Sequence, residues 1–125
     1  MANENYTNDV FAWQLTKTTV KERINHLYRN PLMADVNLRV ANSRGSSRVT
    51  IPCHKFVLAI SSPVFYERFY GTLHEPSEYI DLPECDSDGI LEFLRYIYCD
   101  NVNFKKRRLG PIRKVLYLAK KYKIP

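Results

Sequence analysis

The stretch from His54 to Gly71 restricts the fold of this chain most: it is largely apolar and aromatic, and it is broken once, at Ser62-Pro63. Proline has no N–H and a fixed φ, so it cannot extend a helix that precedes it. It sits without cost in the first turn of a new helix, and a serine just before it can cap that turn. Two short helices are therefore predicted, with Gly71 ending the second. Phe56 to Ile60 is an unbroken apolar run, and Val64, Phe65 and Phe69 follow in the second piece. Little polar face remains, so this helical hairpin belongs deep in a core or in an interface.

The segments on either side supply what the hairpin packs against. Asp35 to Val40 alternates Val36, Leu38 and Val40 with Asn37 and Arg39, and Arg48 to Cys53 alternates Val49, Ile51 and Cys53 with polar or small neighbours. Period two means half-buried strands, and the small polar Ala41 to Ser47 between them suits a hairpin loop. Upstream, from Thr18 onward, Val20, Ile24, Leu27 and Tyr28 recur at helical spacing until Asn30-Pro31 stops them. Downstream, Tyr79 to Leu82 reads as a short strand. Asp86-Ser-Asp-Gly89 then offers capping acids to a helix whose Ile90, Phe93, Leu94, Ile97 and Tyr98 share one face. Gly110-Pro111 opens a last helix, with Ile112, Val115, Leu116, Ala119 and Tyr122 on its inner side. Residues 1–12 show no period and read as a flexible lead-in, leaving 13–125 as one domain, a size at which a single core suffices.

Charge and cysteine usage narrow the function classes. Seven acids and no base lie between Glu75 and Glu92, whereas nine bases and no acid lie between Lys105 and Lys123, so the net charge of +6 is unevenly spread. Lys105-Lys-Arg-Arg108 has the look of a nuclear-import or nucleic-acid patch. No aromatic platform interleaves with it and nothing marks a recognition helix, so a solvated loop is the simpler account and nucleic acid is not expected as a partner. Cys53, Cys85 and Cys99 are odd in number and lack C-x-x-C spacing, which speaks against a disulfide framework and fits reduced thiols. His26, His54 and His74 give no pair of ligands on one predicted face, and Cys53 and His54, at a strand end, are expected to point to opposite sides. No metal and no cofactor are expected. Phosphate-cradling glycine loops, a nucleophile elbow and paired carboxylates are missing from the sequence, so it reads as no enzyme. It has no leader-like or membrane-length apolar run, which points to the cytoplasm, with the basic tetrad leaving the nucleus open.

The element order, together with Met33-Ala-Asp-Val36, Cys53-His-Lys-Phe-Val-Leu-Ala59, Ser61-Ser-Pro-Val-Phe65 and Phe93-Leu-Arg-Tyr-Ile-Tyr98, resembles the BTB/POZ family over nearly the whole chain. Ala12-Trp-Gln14, Leu32-Met-Ala-Asp-Val36 and Leu118-Ala-Lys-Lys-Tyr122 are most similar to the cytosolic branch that carries a BACK segment and a PHR domain downstream. Neither lies in these 125 residues, so the chain reads as a piece of a longer protein.

The resemblance implies an α/β (α+β) domain, a helical cluster capped by a small mixed sheet of about three strands. It also implies a homodimer built on the first helix and the hairpin after His54. Val20, Ile24, Leu27 and Tyr28 are the candidate dimer residues, and Asp35 and Lys55 match a charged pair near the seam. For many members the resemblance further implies binding to the N-terminal region of cullin-3, the scaffold of a RING ubiquitin ligase, through a hydrophobic residue, any residue, then glutamate after the third helix. Leu73-His74-Glu75 fits that pattern, with Tyr66 and Tyr70 just upstream, while Pro76 stiffens the loop. The substrate would be selected by another domain. Two further readings stay open beside this adaptor role. One is the dimerisation domain of a nuclear transcriptional regulator that binds a corepressor; the other is a self-associating scaffold.

Overall fold

A computed structural model describes residues 10–72, 78–100 and 109–124. Among these residues the chain forms a 3-10 helix at Val10–Thr16, then α1 (Val20–His26), β1 (Val36–Ala41), β2 (Arg48–Cys53), α2 (Lys55–Ser61), α3 (Pro63–Tyr70), β3 (Tyr79–Asp86), α4 (Ser87–Cys99) and α5 (Leu109–Lys121). The expected helical cluster with a small three-stranded mixed sheet is what forms. The expected start of the domain at residue 13 falls inside the 3-10 helix, where Ala12 is buried.

The sheet order is β2-β1-β3. β1 and β2 pair antiparallel from Val36 opposite Cys53 to Ala41 opposite Arg48, and β3 adds in parallel from Asn37 opposite Tyr79. Period-two alternation puts Val36, Leu38, Val40, Ile51, Cys53, Ile80 and Leu82 on the inner face, all of them buried. β3 runs to Asp86, past the predicted Leu82, with Pro83 inside it. An edge strand tolerates a proline because half its backbone groups need no neighbour, and the register with β1 shifts between Arg39 and Ala41.

Helix ends follow their capping chemistry. Thr19 caps α1 with a reciprocal box: its Oγ1 accepts the Glu22 N–H at 3.0 Å, and the Glu22 carboxylate accepts the Thr19 N–H at 3.0 Å. α1 stops at His26, a turn earlier than the apolar stripe suggests, because Arg29 turns left-handed (φ 55) and the Asn30 amide donates to the His26 carbonyl. Ser62 caps α3 by accepting the Phe65 N–H at 3.1 Å, with Pro63 in the first turn as predicted. Gly71 does end α3, in an extended conformation (φ −74) rather than a left-handed one. Glycine is needed there for room, since a Cβ would run into the backbone and carboxylate of Glu67. Asp86 caps α4 by accepting the Gly89 N–H at 2.9 Å, and Ile90, Phe93, Leu94 and Tyr98 fill the core beneath.

Two expectations are corrected in α5. It starts at Leu109, so Pro111 is its third residue, and its buried face carries Val115, Leu118 and Tyr122 with Ala119 half-buried, while Leu116 is exposed. Leu118 continues the i, i+3, i+7 row from Val115, whereas Leu116 lies about 100° round the helix from Val115. Ile112 belongs to α5, but its side chain lies outside the described residues. The charge runs are also less separate than the sequence suggests: the Lys121 ammonium pairs with Glu84 of β3, which raises the lysine pKa through that hydrogen bond. Arg39 and Arg48 share Asp81, and Arg44 reaches Asp88. Lys105 to Arg108 lies outside the described residues.

Candidate functional site

Five consecutive apolar residues cannot all face inward on a helix with 3.6 residues per turn. In α2, Val57, Leu58 and Ala59 enter the core, while Phe56 and Ile60, four apart, stand on the outer side at 63% and 60% exposure. The helical hairpin is thus both core and surface. Val20 at the start of α1 is equally exposed at 63%, and Met33, in the turn before β1, is held outward at 64% with a left-handed φ of 60. Isolated exposed apolar residues mean little, and these four stand on α1, on the turn before β1 and on α2.

These elements meet at one buried hydroxyl. The Tyr98 Oη accepts the His54 backbone N–H at 2.9 Å and lies 2.8 Å from His54 Nδ1. The other ring nitrogen, Nε2, lies 2.8 Å from the Leu32 carbonyl. A carbonyl only accepts, so Nε2 carries the proton and Nδ1 accepts from the tyrosine. Tyr28, in the turn after α1, packs on the Tyr98 ring at 6.1 Å and donates to the Leu91 carbonyl at 2.8 Å. Cys53 and His54, expected on opposite sides, are both buried, at 1% and 5% exposure, and it is His54 that bonds Tyr98, through its ring and its N–H. Strand alternation ends at Cys53, and His54 is already the cap of α2.

Of the residues expected at a dimer seam, Val20 is exposed, whereas Ile24, Leu27 and Tyr28 are half-buried against the chain's own core. The Asp35 carboxylate accepts the Lys55 backbone N–H at 2.8 Å, and the Lys55 ammonium lies 5.8 Å from the centre of the Phe69 ring. Asp35 thus supports the first turn of α2. Sequence reasoning passed over Met33, Phe56 and Ile60; the unbroken apolar run was the available signal.

A second outer face belongs to α3. Tyr66 and Tyr70 are 54% and 51% exposed, with ring centres 6.1 Å apart. Leu73 and Glu75, the other two residues expected there, lie outside the described residues. Beside this face, Pro63, Val64, Glu67, Arg68 and Lys123 line an open cleft of about 490 Å³. The α3 scaffold is rigidly set. Ser62 Oγ donates to the Tyr122 carbonyl at 2.6 Å, and Phe65 stacks on the Tyr122 ring at 4.4 Å.

Burial pushes the Cys53 thiol up to about 12 and raises Tyr98 in the same direction, chiefly through desolvation of the charged form. An acid whose pKa is higher folded than unfolded stabilises the fold below its unfolded value and loses that contribution as pH rises toward the folded value. Stability is therefore expected to fall between about pH 9 and 12, by up to about 1.4 kcal/mol per pH unit for each such group. Urea midpoints across that range check it, and Cys53→Ala should give a shallower decline than the unmutated chain. Among the described residues there is no cluster able to hold a metal ion, and no helix is long and apolar enough to cross a membrane.

The profile of the BTB/POZ domain matches residues 24–125. Human BTB/POZ domain-containing protein 3 is 39% identical over 113 residues, covering 90% of this chain and 21% of that protein. Human BTB/POZ domain-containing protein 6 is 38% identical over 114 residues, covering 91% of this chain and 20% of that protein. The Xenopus laevis protein 6 is 37% identical over 113 residues, with 90% and 20% covered. The chain thus spans about one fifth of the length of these relatives.

Proposed function

The chain belongs to the BTB/POZ domain family, a family of protein-interaction modules, and on that premise we propose that it is a homodimerising, cytoplasmic adaptor that binds the N-terminal region of cullin-3 within a RING ubiquitin ligase. The observation that carries this reading is the pair of exposed tyrosines, Tyr66 and Tyr70, on the outer side of α3 immediately before Leu73-His74-Glu75. Aromatic anchors beside an apolar residue and a carboxylate are the makings of a binding hot spot: the rings and Leu73 supply desolvated contact, and Glu75 adds a charge-assisted hydrogen bond. Self-association uses the other outer face, with Val20, Met33, Phe56 and Ile60 covered by a second copy. The similarity of Ala12-Trp-Gln14 and Leu118-Ala-Lys-Lys-Tyr122 to the BACK- and PHR-carrying branch supports a substrate-selecting domain elsewhere in the full protein.

The test is a binding titration of the purified chain against the cullin-3 N-terminal region. Leu73→Ala with Glu75→Ala is expected to weaken binding by about 2 kcal/mol or more, roughly thirtyfold, with the fold intact. Failure of the unmutated chain to associate at high micromolar concentration would sink the adaptor role. Light scattering should give twice 14.7 kDa, reverting to a single subunit in Phe56→Asp; a concentration-independent monomer would sink the dimer.

A further inference from the structure

We propose that Ser47, in the loop that joins β1 to β2, is a phosphorylation site for an arginine-directed serine/threonine protein kinase. The inference is independent of the cullin reading and rests on how the structure sorts the hydroxyl groups of the chain. Ser43 Oγ accepts the Asp88 N–H at 2.9 Å and is bonded to Ser87 Oγ at 3.1 Å. Ser61 and Ser62 donate to backbone carbonyls, Thr16 does the same, and Thr18 and Thr19 are tied to Glu22. Ser47 is exposed, and no described residue holds its hydroxyl. An arginine three residues before a serine or threonine occurs once in the sequence, at Arg44-Gly-Ser-Ser47, and Arg48 follows directly.

The geometry makes this segment presentable to an enzyme. The Arg44 side chain is 70% exposed and its pair with Asp88 is loose, at 3.4 Å, so a kinase carboxylate can take the guanidinium at little cost. The loop is pinned at Ser43, which exchanges hydrogen bonds with Ser87, and closed by the Asn42 N–H on the Ser47 carbonyl at 3.2 Å, while residues 43–48 stay exposed. Gly45 has an unremarkable φ, and a Cβ there would make only ordinary contact with the Asn42 side chain, at 3.6 Å. Its glycine meets no steric demand of the turn, and it lowers the cost of drawing the tip into the extended form a kinase cleft takes.

In the reaction the Ser47 Oγ attacks the γ-phosphorus of a nucleoside triphosphate. The new O–P bond forms as the β,γ-bridging P–O bond breaks, the hydroxyl proton passes to the kinase base, and the nucleoside diphosphate leaves. The consequence is electrostatic. Around this end of the sheet Arg39, Arg44 and Arg48 stand with Asp81, Asp88 and Asp86, the last opposite Ala41, so these charges balance. A phosphate adding about −1.5 to −2 makes this end negative and competes with the aspartates for Arg44 and Arg48. Any partner recognising this end by its charge would be gained or lost on modification.

The test incubates the folded 125-residue chain with the catalytic subunit of an arginine-directed kinase and γ-labelled ATP, followed by peptide mapping. One phosphate per chain on Ser47 is expected, absent in Ser47→Ala. Arg44→Ala should lower kcat/KM by about tenfold or more, the loss of one charge-assisted contact, with partial rescue in Arg44→Lys and unchanged melting in all three variants. Label mapping to another residue, Arg44→Ala labelled as well as the unmutated chain, or labelling confined to urea-unfolded chain would each overturn the assignment.

Discussion

Phe65→Ala is expected to lower the stability of the folded chain by about 3–5 kcal/mol, the range for truncating a fully buried phenylalanine. Phe65 is 1% exposed and sits between two rings, parallel to Tyr122 at 4.4 Å and to Phe69 at 5.8 Å. Alanine removes the transfer free energy of the ring, leaves a cavity and abolishes both aromatic contacts. A domain of this kind has only about 5–15 kcal/mol in total, so about a fifth or more of its stability depends on this one side chain. The damage is directional as well as large. Phe65 and the Ser62 bond to the Tyr122 carbonyl together fix α3 against the end of α5, and α3 carries Tyr66 and Tyr70. The urea midpoint should fall at unchanged slope, and binding through the α3 face should weaken with it. Tyr66→Ala, one residue on but exposed, should cost under about 0.5 kcal/mol. Equal losses in the two variants would refute this account of the core.

The second large effect is expected from Tyr98→Phe, which deletes one oxygen and almost no volume. That oxygen accepts the His54 N–H and pairs with His54 Nδ1, both inside the core. Each orphaned group is worth about 1–3 kcal/mol, because neither is solvated in the folded state. The same deletion at Tyr28 removes one bond to the Leu91 carbonyl at a half-buried site and should cost about 1 kcal/mol. Urea unfolding of the two variants gives the ranking. Indistinguishable values would mean that the His54 and Tyr98 pairing adds nothing beyond packing.

What could be read from the sequence was the local part of this design. Alternation identified β1 and β2, the i, i+3, i+4 row identified α4, and Ser62-Pro63 divided α2 from α3, because each rests on backbone geometry within a few residues. Periodicity says which side chains share a face, not which face meets the core. In α5 both Leu116 and Leu118 fit an apolar row, and only the packing against α4 chose Leu118. The same limit hid the outward Phe56 and Ile60. It also made Asp35 and Lys55 look like a pair of charges, when the carboxylate binds a backbone N–H. The Tyr98 hub joins residues 44 apart, a separation at which no local pattern carries information. Of the candidate surface named from sequence, Tyr66, Tyr70 and Val20 are exposed, whereas Ile24, Leu27 and Tyr28 are half-buried.

The parallel docking of β3 on β1 sets an order of events as the chain folds. β1 and β2 are joined by a short turn and can zip at once, but Arg39 and its β3 partner Asp81 are separated by 42 residues, and closing that loop costs entropy that only later contacts repay. Until α2 and α3 have collapsed and carried the chain back, one flank of the central strand stays bare. A nascent or stalled chain is therefore most vulnerable to mispairing along β1, and its chaperones should be needed in that interval.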